Sequence, residues 1–332
     1  MKKRILTGDR PTGKLHLGHY VGSLKNRVKL QEEYETYLIV ADLHTLTTKP
    51  SKEDTAKLRE NIMDQVLDYL SVGIDPEKVT IYVQSMIPEV TELAIIFGML
   101  TTVPRLDRMP TLKEVMNNAH LTIPSYGLLG YPVLQAADIL MVRADLVPVG
   151  KDQESHIEVT REIARDFNKT YGDVFPIPEA LIVGGIPGTD GSGKMSKSAG
   201  NDIKLSDSEA EVEKKVMQMY TDPNRIKVTD PGKVEGNPVF IYLDAFSEKS
   251  DEDQINQFKK RYEEGTVGDV EVKKFLVEVL NKFLEPIRER RAKYESQPEL
   301  IEKILKEGTE KARAEAQKTL EEVKKVMRMD YF

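Results

Sequence analysis

The first 85 residues alternate between short apolar runs of the strand type and longer segments with helical spacing. The strand-like runs lie at 4–8, 37–41 and 79–83, and the second is apolar throughout, as a strand covered on both faces requires. A helix is expected in each interval, the second one capped by Ser51. This β-α-β-α-β order predicts a parallel sheet with right-handed crossovers and a ligand crevice at the carboxyl ends of its strands.

A second α/β stretch follows, with strands predicted at 146–150 and 181–183 and a helix at about 152–168. We expect roughly 105–145, irregular as far as Gly130, to be an insertion between the two halves of one sheet. Beyond about residue 205 the sequence changes to amphipathic helices rich in Lys and Glu. The prediction is therefore a Rossmann-like, doubly wound α/β domain over 1–204 and an all-helical domain over 205–332, whose last helix packs back on the first domain.

Composition narrows the classes of function. A length of 332 residues indicates two domains, and the absence of Cys excludes disulfides, thiolate metal sites and thiol nucleophiles. The chain carries 48 Lys and Arg against 55 Asp and Glu, an acidic balance that argues against a general nucleic-acid coat. No apolar run approaches the roughly 18 residues that cross a bilayer. We expect a cytoplasmic protein without a membrane partner.

The loop after the first predicted strand leads into His16-Leu17-Gly18-His19 at the start of a helix. A helix N-terminus offers unpaired amides and a partial positive charge, so it can hold a phosphate. Gly18 would let a flat base or sugar lie on the backbone, and both histidines can donate to phosphate oxygens. Two alternatives stay open. The two histidines could be partly exposed and without function, or they could bind a metal ion, although no third ligand of obvious spacing accompanies them.

A second candidate lies at 188–198, a glycine-rich stretch that ends in Lys194-Met195-Ser196-Lys197-Ser198. It nearly matches the Walker-A phosphate loop, but Met195 occupies the position whose hydroxyl should bind Mg²⁺. What remains is a flexible loop whose two lysines can close over a triphosphate and stabilise charge as it develops. The alternative is a solvated basic loop.

Together the two segments resemble the class I aminoacyl-tRNA synthetases, which carry both motifs. Further matches look like the tryptophanyl members of that family, and they lie at 8–13, 131–132, 136–140, 147–153, 156–158 and 160–161. The resemblance spans nearly the whole chain. It implies ATP-dependent ligation of L-tryptophan to tRNA(Trp) through a tryptophanyl-adenylate. The amino-acid carboxylate is already ionised at neutral pH, so this chemistry needs no general base.

The resemblance also implies site residues. The implied catalytic residues on the phosphates are His16, His19, Lys194 and Lys197. The implied ATP-binding residues are Arg10, Thr12, Gly18, His19, Lys113, Gly150, Asp152, Lys194, Met195, Ser196 and Lys197. The implied amino-acid-binding residues are Leu6, His44, Tyr131, Gln135, Asp138, Val147, Val149 and Gln153.

Within these sets the resemblance assigns individual roles. Asp138 would accept the indole N–H of the substrate, and Asp152 would contact the ribose hydroxyls. No dedicated metal ligands are expected, because Mg²⁺ would be carried by the ATP phosphates and water. The region 105–170 would supply much of a homodimer contact, and the helices after 205 would read the tRNA anticodon. His44 ends the second strand, where a structural role is equally open, and His120 and His156 are expected to be structural.

Three alternatives stay open. A tyrosyl enzyme also fits Tyr131, Gln135 and Asp138, because a carboxylate accepts a hydrogen bond equally well from a phenol. A small-molecule adenylyltransferase can share the His-x-Gly-His motif. A paralogue that binds RNA without turnover would keep the same fold.

Overall fold

The structure is a computed structural model that describes residues 2–118, 121–197, 199–222, 225, 227 and 229–331, apart from the side chains of Asn118 and Asp152. The chain divides into two compact units. Unit 1 comprises Met1–Gly13, Asn26–Val183 and Gln297–Phe332, and unit 2 comprises Lys14–Lys25 and Gly184–Ser296.

The regular elements are numbered in chain order. The described strands are β1 (Arg4–Asp9), β2 (Glu35–Val40), β3 (Val79–Val83), β4 (Leu146–Gly150) and β5 (Glu179–Val183). The described α-helices are α1 (Leu17–His19), α2 (Lys25–Leu30), α3 (Asp42–Leu46), α4 (Lys52–Ala56), α5 (Leu58–Ser71), α6 (Pro88–Leu100), α7 (Val103–Asp107), α8 (Pro110–Asn118), α9 (Tyr126–Met141), α10 (Glu154–Tyr171), α11 (Glu209–Met217), α12 (Pro238–Phe246), α13 (Glu252–Glu263), α14 (Asp269–Glu295) and α15 (Pro298–Val326). A π-helical turn spans Tyr20–Leu24, and 3₁₀ turns span Gln84–Met86, Lys151–Gln153 and Lys249–Asp251.

The described strands of unit 1 form one five-stranded parallel sheet in the order β3-β2-β1-β4-β5. This order reverses direction at β1, as in a doubly wound sheet, so the predicted Rossmann-like fold is confirmed. The pairing of β1 with β2 requires glycine at position 8, where a Cβ atom would lie 2.1 Å from the Ile39 carbonyl oxygen. The carboxyl ends of β1 and β4 meet at this reversal, where such sheets bind ligands.

The described residues between β3 and β4 are mostly helical, so the expectation of irregular structure as far as Gly130 was wrong. It forms α6 to α9, and the apolar residues Leu106, Met109, Leu112 and Leu128 are buried in the core of unit 1. The helices α7 and α8 span only 5 and 9 residues. Apolar spacing over so few turns is too short to be read as a helical period.

The last helix, α15, belongs to unit 1 and lies directly on β3. A Cβ atom at position 308 would lie 1.9 Å from the Ile81 carbonyl oxygen, so only glycine fits there. The Val83 N–H donates to Thr309 Oγ1 at 3.3 Å, and Ala312 and Ala316 are buried in the unit 1 core. This helix covers the edge strand of the sheet. The functional division at residue 204 stays a prediction.

Unit 2 holds both of the glycine-containing motifs that the sequence analysis singled out. The helix expected between the first two strands, at about 17–33, consists of α1, the π-helical turn and α2, and it ends at Leu30. The Tyr20 ring contacts Phe283 of α14 at 4.8 Å between centroids, and Phe283 contacts Phe246 of α12 at 4.9 Å. An aromatic cluster therefore joins the helical segment after His16 to the core of unit 2.

Candidate active site

The two predicted phosphate-binding motifs meet within unit 2. The Leu17 N–H donates to the Ile203 carbonyl at 2.9 Å, and the Leu205 N–H donates to the Leu15 carbonyl at 3.0 Å. His16 and Lys204 form the antiparallel bridge between these two bonds. The chain that follows the lysine loop, which we define as residues 188–197, is thereby held against the start of α1.

A side-chain contact completes this convergence. The Gly18 N–H points at the Met195 sulfur at 3.2 Å, and Met195 is buried. A Cβ atom at position 18 would lie 3.0 Å from Met195 Cβ and 3.0 Å from the His16 ring, so a larger residue there would force the neighbours apart. A base or sugar was expected at Gly18, whereas the structure places the Met195 side chain beside it.

His16 and His19 pack ring against ring, with their centroids 3.8 Å apart. His16 is buried, His19 is half-buried, and the His16 N–H donates to His19 Nδ1 at 3.2 Å. Because Nδ1 accepts this bond, a neutral His19 carries its proton on Nε2. The arrangement prepares His19 as a hydrogen-bond donor, which suits a phosphate oxygen.

The two lysines of the lysine loop differ in their exposure to solvent. Lys194 is exposed, whereas Ser196 and Lys197 are half-buried and follow the buried Met195. Gly191 adopts φ +76°, and a Cβ atom there would lie 2.8 Å from the Tyr220 ring. Ser198, the last residue of the motif, lies outside the described part of the chain.

In unit 1 the predicted amino-acid ligands Tyr131, Gln135 and Asp138 occupy one face of α9, at spacings of four and three residues. Asp138 is buried, and its carboxylate accepts from His44 Nε2 at 2.9 Å and from Gln84 Nε2 at 3.0 and 2.8 Å. Burial raises the pKa of Asp138 above its ordinary value, and the bonds from His44 and Gln84 oppose that shift. The carboxylate is therefore fixed in orientation.

Gln84 was missed by the sequence analysis, although a signal for it existed. It comes directly after β3, at the carboxyl end of a parallel strand, where ligand-binding residues of such sheets lie. Its neighbour Ser85 donates from both N–H and Oγ to the buried Asp42, at 2.9 and 2.5 Å. These bonds tie the turn after β3 to the one after β2.

Tyr131 is held by two polar partners. Its hydroxyl lies 2.8 Å from His156 Nε2 and 3.0 Å from Thr111 Oγ1, and these two atoms are 2.6 Å apart. Thr111 and His156 are buried. His156, expected to be structural, thus acts on a predicted site residue by orienting its ring. Thr111 was not anticipated because α8 itself was not.

The remaining predicted site residues of unit 1 are found in three settings. Leu6, Val147 and Val149 are buried in the core cluster that also contains α9 residues such as Ala136. The exposed Arg10 and the half-buried Thr12 follow β1, Gly150 ends β4, and Asp152 and Gln153 lie in the 3₁₀ turn after it. The side chain of Asp152 lies outside the described part of the chain. Lys113 is exposed on α8. His120 lies outside the described residues.

An ion pair between the buried Arg27 and the half-buried Asp9, at the carboxyl end of β1, was also missed. Arg27 donates to both carboxylate oxygens of Asp9, at 2.6 and 3.2 Å, and the Tyr69 hydroxyl donates to Asp9 at 2.8 Å. Gln65 Nε2 donates to the Asp9 carbonyl at 3.0 Å. Three side chains thereby anchor the residue that immediately precedes Arg10.

Metal-binding clusters and membrane spans are two further features that bear on function. The described residues contain no group of three His, Cys, Asp or Glu side chains arranged to hold a metal ion. No α-helix in that part of the chain combines the length and apolar character needed to span a membrane.

Comparison with known proteins gives the family. The family model of the class I tRNA synthetases (W and Y) matches residues 1–285. The chain is 57% identical over 326 residues to the tryptophan–tRNA ligase of Treponema pallidum, covering 98% of this chain and 96% of that protein. The chain belongs to the tryptophanyl-tRNA synthetases. The tryptophan–tRNA ligase of Chlamydia caviae is 54% identical over 328 residues, covering 97% of this chain and 94% of that protein.

A solved tryptophanyl-tRNA synthetase agrees in fold. The enzyme from Campylobacter jejuni, complexed with ADP and tryptophan, superposes with a TM-score of 0.85 at 35% sequence identity. The match covers 98% of this chain and 99% of that chain. The resemblance to class I aminoacyl-tRNA synthetases is thus confirmed at the level of family and fold.

Proposed function

We propose that the chain activates L-tryptophan with ATP to form tryptophanyl-adenylate and pyrophosphate, and then transfers the tryptophanyl group to the terminal adenosine of tRNA(Trp). The observation that carries this proposal is the pairing of residues 15–17 with 203–205, which unites His16-Leu17-Gly18-His19 with the lysine loop in unit 2. The relatives named as tryptophan–tRNA ligases support the same reaction.

The proposed phosphate ligands are His16, His19, Lys194 and Lys197. In adenylate formation the substrate carboxylate attacks the α-phosphorus and pyrophosphate leaves with additional negative charge. Cationic and N–H donors that meet that charge lower the barrier, and each donor typically raises the rate by a factor of about 10² to 10³. The side chains of this cluster are of the type that this task requires, and Mg²⁺ bound to the phosphates would add charge neutralisation.

For the amino acid, the proposed ligands lie on α9 and around it. Asp138 would accept the indole N–H, because its orientation is fixed by His44 and Gln84 while an ionised carboxylate offers more lone pairs than these two donors use. Tyr131 and Gln153 would hold the substrate amine. Leu6, Val147 and Val149 would supply apolar wall, and Arg10, Thr12, Lys113, Gly150 and Asp152 would complete the ATP contacts.

We also propose that the chain acts as a homodimer through part of the region 105–170 and the adjoining end of α6. Large apolar side chains stand exposed there: Met99 and Ile123 are each 79% exposed and Tyr126 is 81% exposed. Such side chains gain from removal from water. Replacing Ile123 and Tyr126 together by Ser should shift the mass measured by light scattering to that of a monomer. An unchanged dimer would place the contact elsewhere.

We propose that the helices after residue 205 contact the tRNA. The protein is proposed to act in the cytoplasm.

The experiment that tests the proposed function is pyrophosphate exchange into ATP, measured side by side with tryptophan and tyrosine. We expect exchange with tryptophan and a far lower rate with tyrosine, followed by transfer of labelled tryptophan to tRNA. Preference for tyrosine would contradict tryptophan as the substrate. Absence of exchange with either amino acid would contradict the proposed activity.

A further inference from the structure

The lysine loop is closed at its base by one buried side-chain amide. Asn201 is 3% exposed, and its Oδ1 accepts from the Ser196 N–H at 2.7 Å. Its Nδ2 donates to Asp190 Oδ1 at 2.9 Å and to Ser192 Oγ at 3.1 Å. A single side chain therefore links the lysine-bearing end of the loop to its first turn.

Main-chain bonds tighten the same base. The Thr189 N–H donates to the Asn201 carbonyl at 3.0 Å, and the Gly188 N–H donates to the Ser192 carbonyl at 3.0 Å. A Cβ atom at position 188 would lie 2.2 Å from Asn201 Nδ2, so the glycine is required by the amide beside it. The base of the loop is thus packed around Asn201 instead of being a loose solvated turn.

The partner carboxylate is charged and exposed. Hydrogen bonds from the Ser192 hydroxyl and N–H, and from Asn201, hold the pKa of Asp190 below its ordinary value. Asp190 is therefore ionised at neutral pH, and its carboxylate can only accept hydrogen bonds. Asn201 donates to Asp190 and accepts from the Ser196 N–H at the same time, which its amide can do, whereas an ionised carboxylate at this position could only accept.

We propose that Asn201 is a positioning residue for adenylate formation, which fixes the backbone between Met195 and Lys197 in the conformation that presents the lysines to the phosphates. This inference rests on the proposed function of the lysine loop. Ser196 lies between Met195, buried against Gly18, and Lys197, so the bond from its N–H to Asn201 sets the direction of both neighbours. Asn201 itself touches no reacting atom.

The test exchanges the two partners. Asn201→Asp puts a carboxylate beside Asp190 and should slow single-turnover adenylate formation at least about tenfold, a size typical of coupled neighbours. The tryptophan dissociation constant should stay unchanged. The double variant Asp190→Asn with Asn201→Asp again pairs an amide with a carboxylate. Because the new carboxylate at position 201 still accepts from the Ser196 N–H, we expect most of the rate to return.

Two outcomes would overturn the proposal. One is an Asn201→Asp rate within twofold of the parent, and the other is a double variant as slow as Asn201→Asp. If Asn201→Asp does not fold, Asn201→Ala removes the amide without adding charge, and it should show the same loss of rate at unchanged tryptophan binding. A normal rate in Asn201→Ala would also contradict the proposal.

A matched control is available in the same unit. Asn237 is 4% exposed, accepts from the Val239 N–H at 3.0 Å and donates to the Tyr262 hydroxyl at 3.3 Å. Asn237→Ala should lower the melting temperature without slowing adenylate formation. Lys194→Ala is measured in parallel: if it does not slow the reaction, the proposed function of the loop fails, whereas a slow Lys194→Ala beside a normal Asn201→Asp removes only the role of Asn201.

Discussion

The Gly18 N–H meets the Met195 sulfur at 3.2 Å, so a residue of the first predicted motif touches a residue of the second. Met195 lies between Lys194 and Lys197 in the loop, and it is buried. Its burial fixes the position of the backbone that carries the two lysines. A thioether is a weak acceptor, so most of this contact is apolar packing. The lysines are thereby held in the same unit as His16 and His19.

The first prediction concerns these lysines. Lys194→Ala and Lys197→Ala should each lower kcat for adenylate formation by about 10²-fold or more, because the charge they meet develops as pyrophosphate leaves. Tryptophan affinity should be nearly unchanged. Pre-steady-state kinetics checks the rate, and Lys214→Ala, an exposed lysine on α11 of the same unit, is the control. Equal losses of rate and of tryptophan affinity would argue against the charge role.

A second prediction follows from the raised pKa of Asp138. As the pH falls, a carboxyl group with a raised pKa takes up its proton at a higher pH than an ordinary aspartate, so tryptophan binding should weaken before the usual range is reached. Asp138→Asn should bind tryptophan weakly at all pH values and lose this dependence. The chain contains no Trp, so the fluorescence of the substrate itself reports binding. Identical pH profiles would exclude Asp138 as the acceptor.

Gln84 supports a third prediction. Gln84→Met keeps the size of the side chain but removes the donor to Asp138, so tryptophan binding should weaken by about tenfold, as expected for a lost bond to a charged group. The acid transition should also move to higher pH. Gln31→Met is the matched control, since Gln31 is buried in unit 1 but its side chain bonds Gly73 and Asp75, away from Asp138. The same loss in both variants would indicate a general packing effect.

The fold was predictable to the extent that its elements are long and periodic. Strands at 4–8, 37–41 and 79–83 were placed to within one or two residues, because an apolar run between polar turns has few other interpretations. The helices α7 and α8 were not found, since 5 and 9 residues carry too little period. The last helix was expected to pack back on the first domain, but its position on β3 was not predicted, and Gly308 explains how closely the two elements approach.

The candidate site was predictable where several functional residues lie close together in one sequence motif. His16, Gly18, Lys194 and Lys197 stand in compact patterns, and the structure brings their segments together. Thr111 and Asn201 were not predicted, and for Gln84 the sequence signalled only a position directly after a strand, because an uncharged polar residue gains its role from the neighbour that folding brings to it. Gln84 bonds Asp138 across 54 positions, and no local pattern encodes that separation.

The ion pair of the buried Arg27 with the half-buried Asp9 gives a prediction for stability. Arg27 is 3% exposed, so Arg27→Met leaves the Asp9 carboxylate without its cation and should lower the free energy of unfolding by about 3 kcal/mol or more. Urea denaturation measures this change. Lys78→Met, which removes an exposed partner of Glu32, should alter the unfolding midpoint very little. Comparable shifts in both variants would mean that burial of the Arg27 pair has no special consequence.

The central claim is that the histidine motif and the lysine loop act on one triphosphate. The most direct measurement is a crystal structure with tryptophan and an ATP analogue that cannot react. The account predicts phosphate oxygens at about 2.7–3.2 Å from nitrogen atoms of both His16 or His19 and Lys194 or Lys197. A triphosphate bound by one of the two segments while the other lies well away from it would contradict the account.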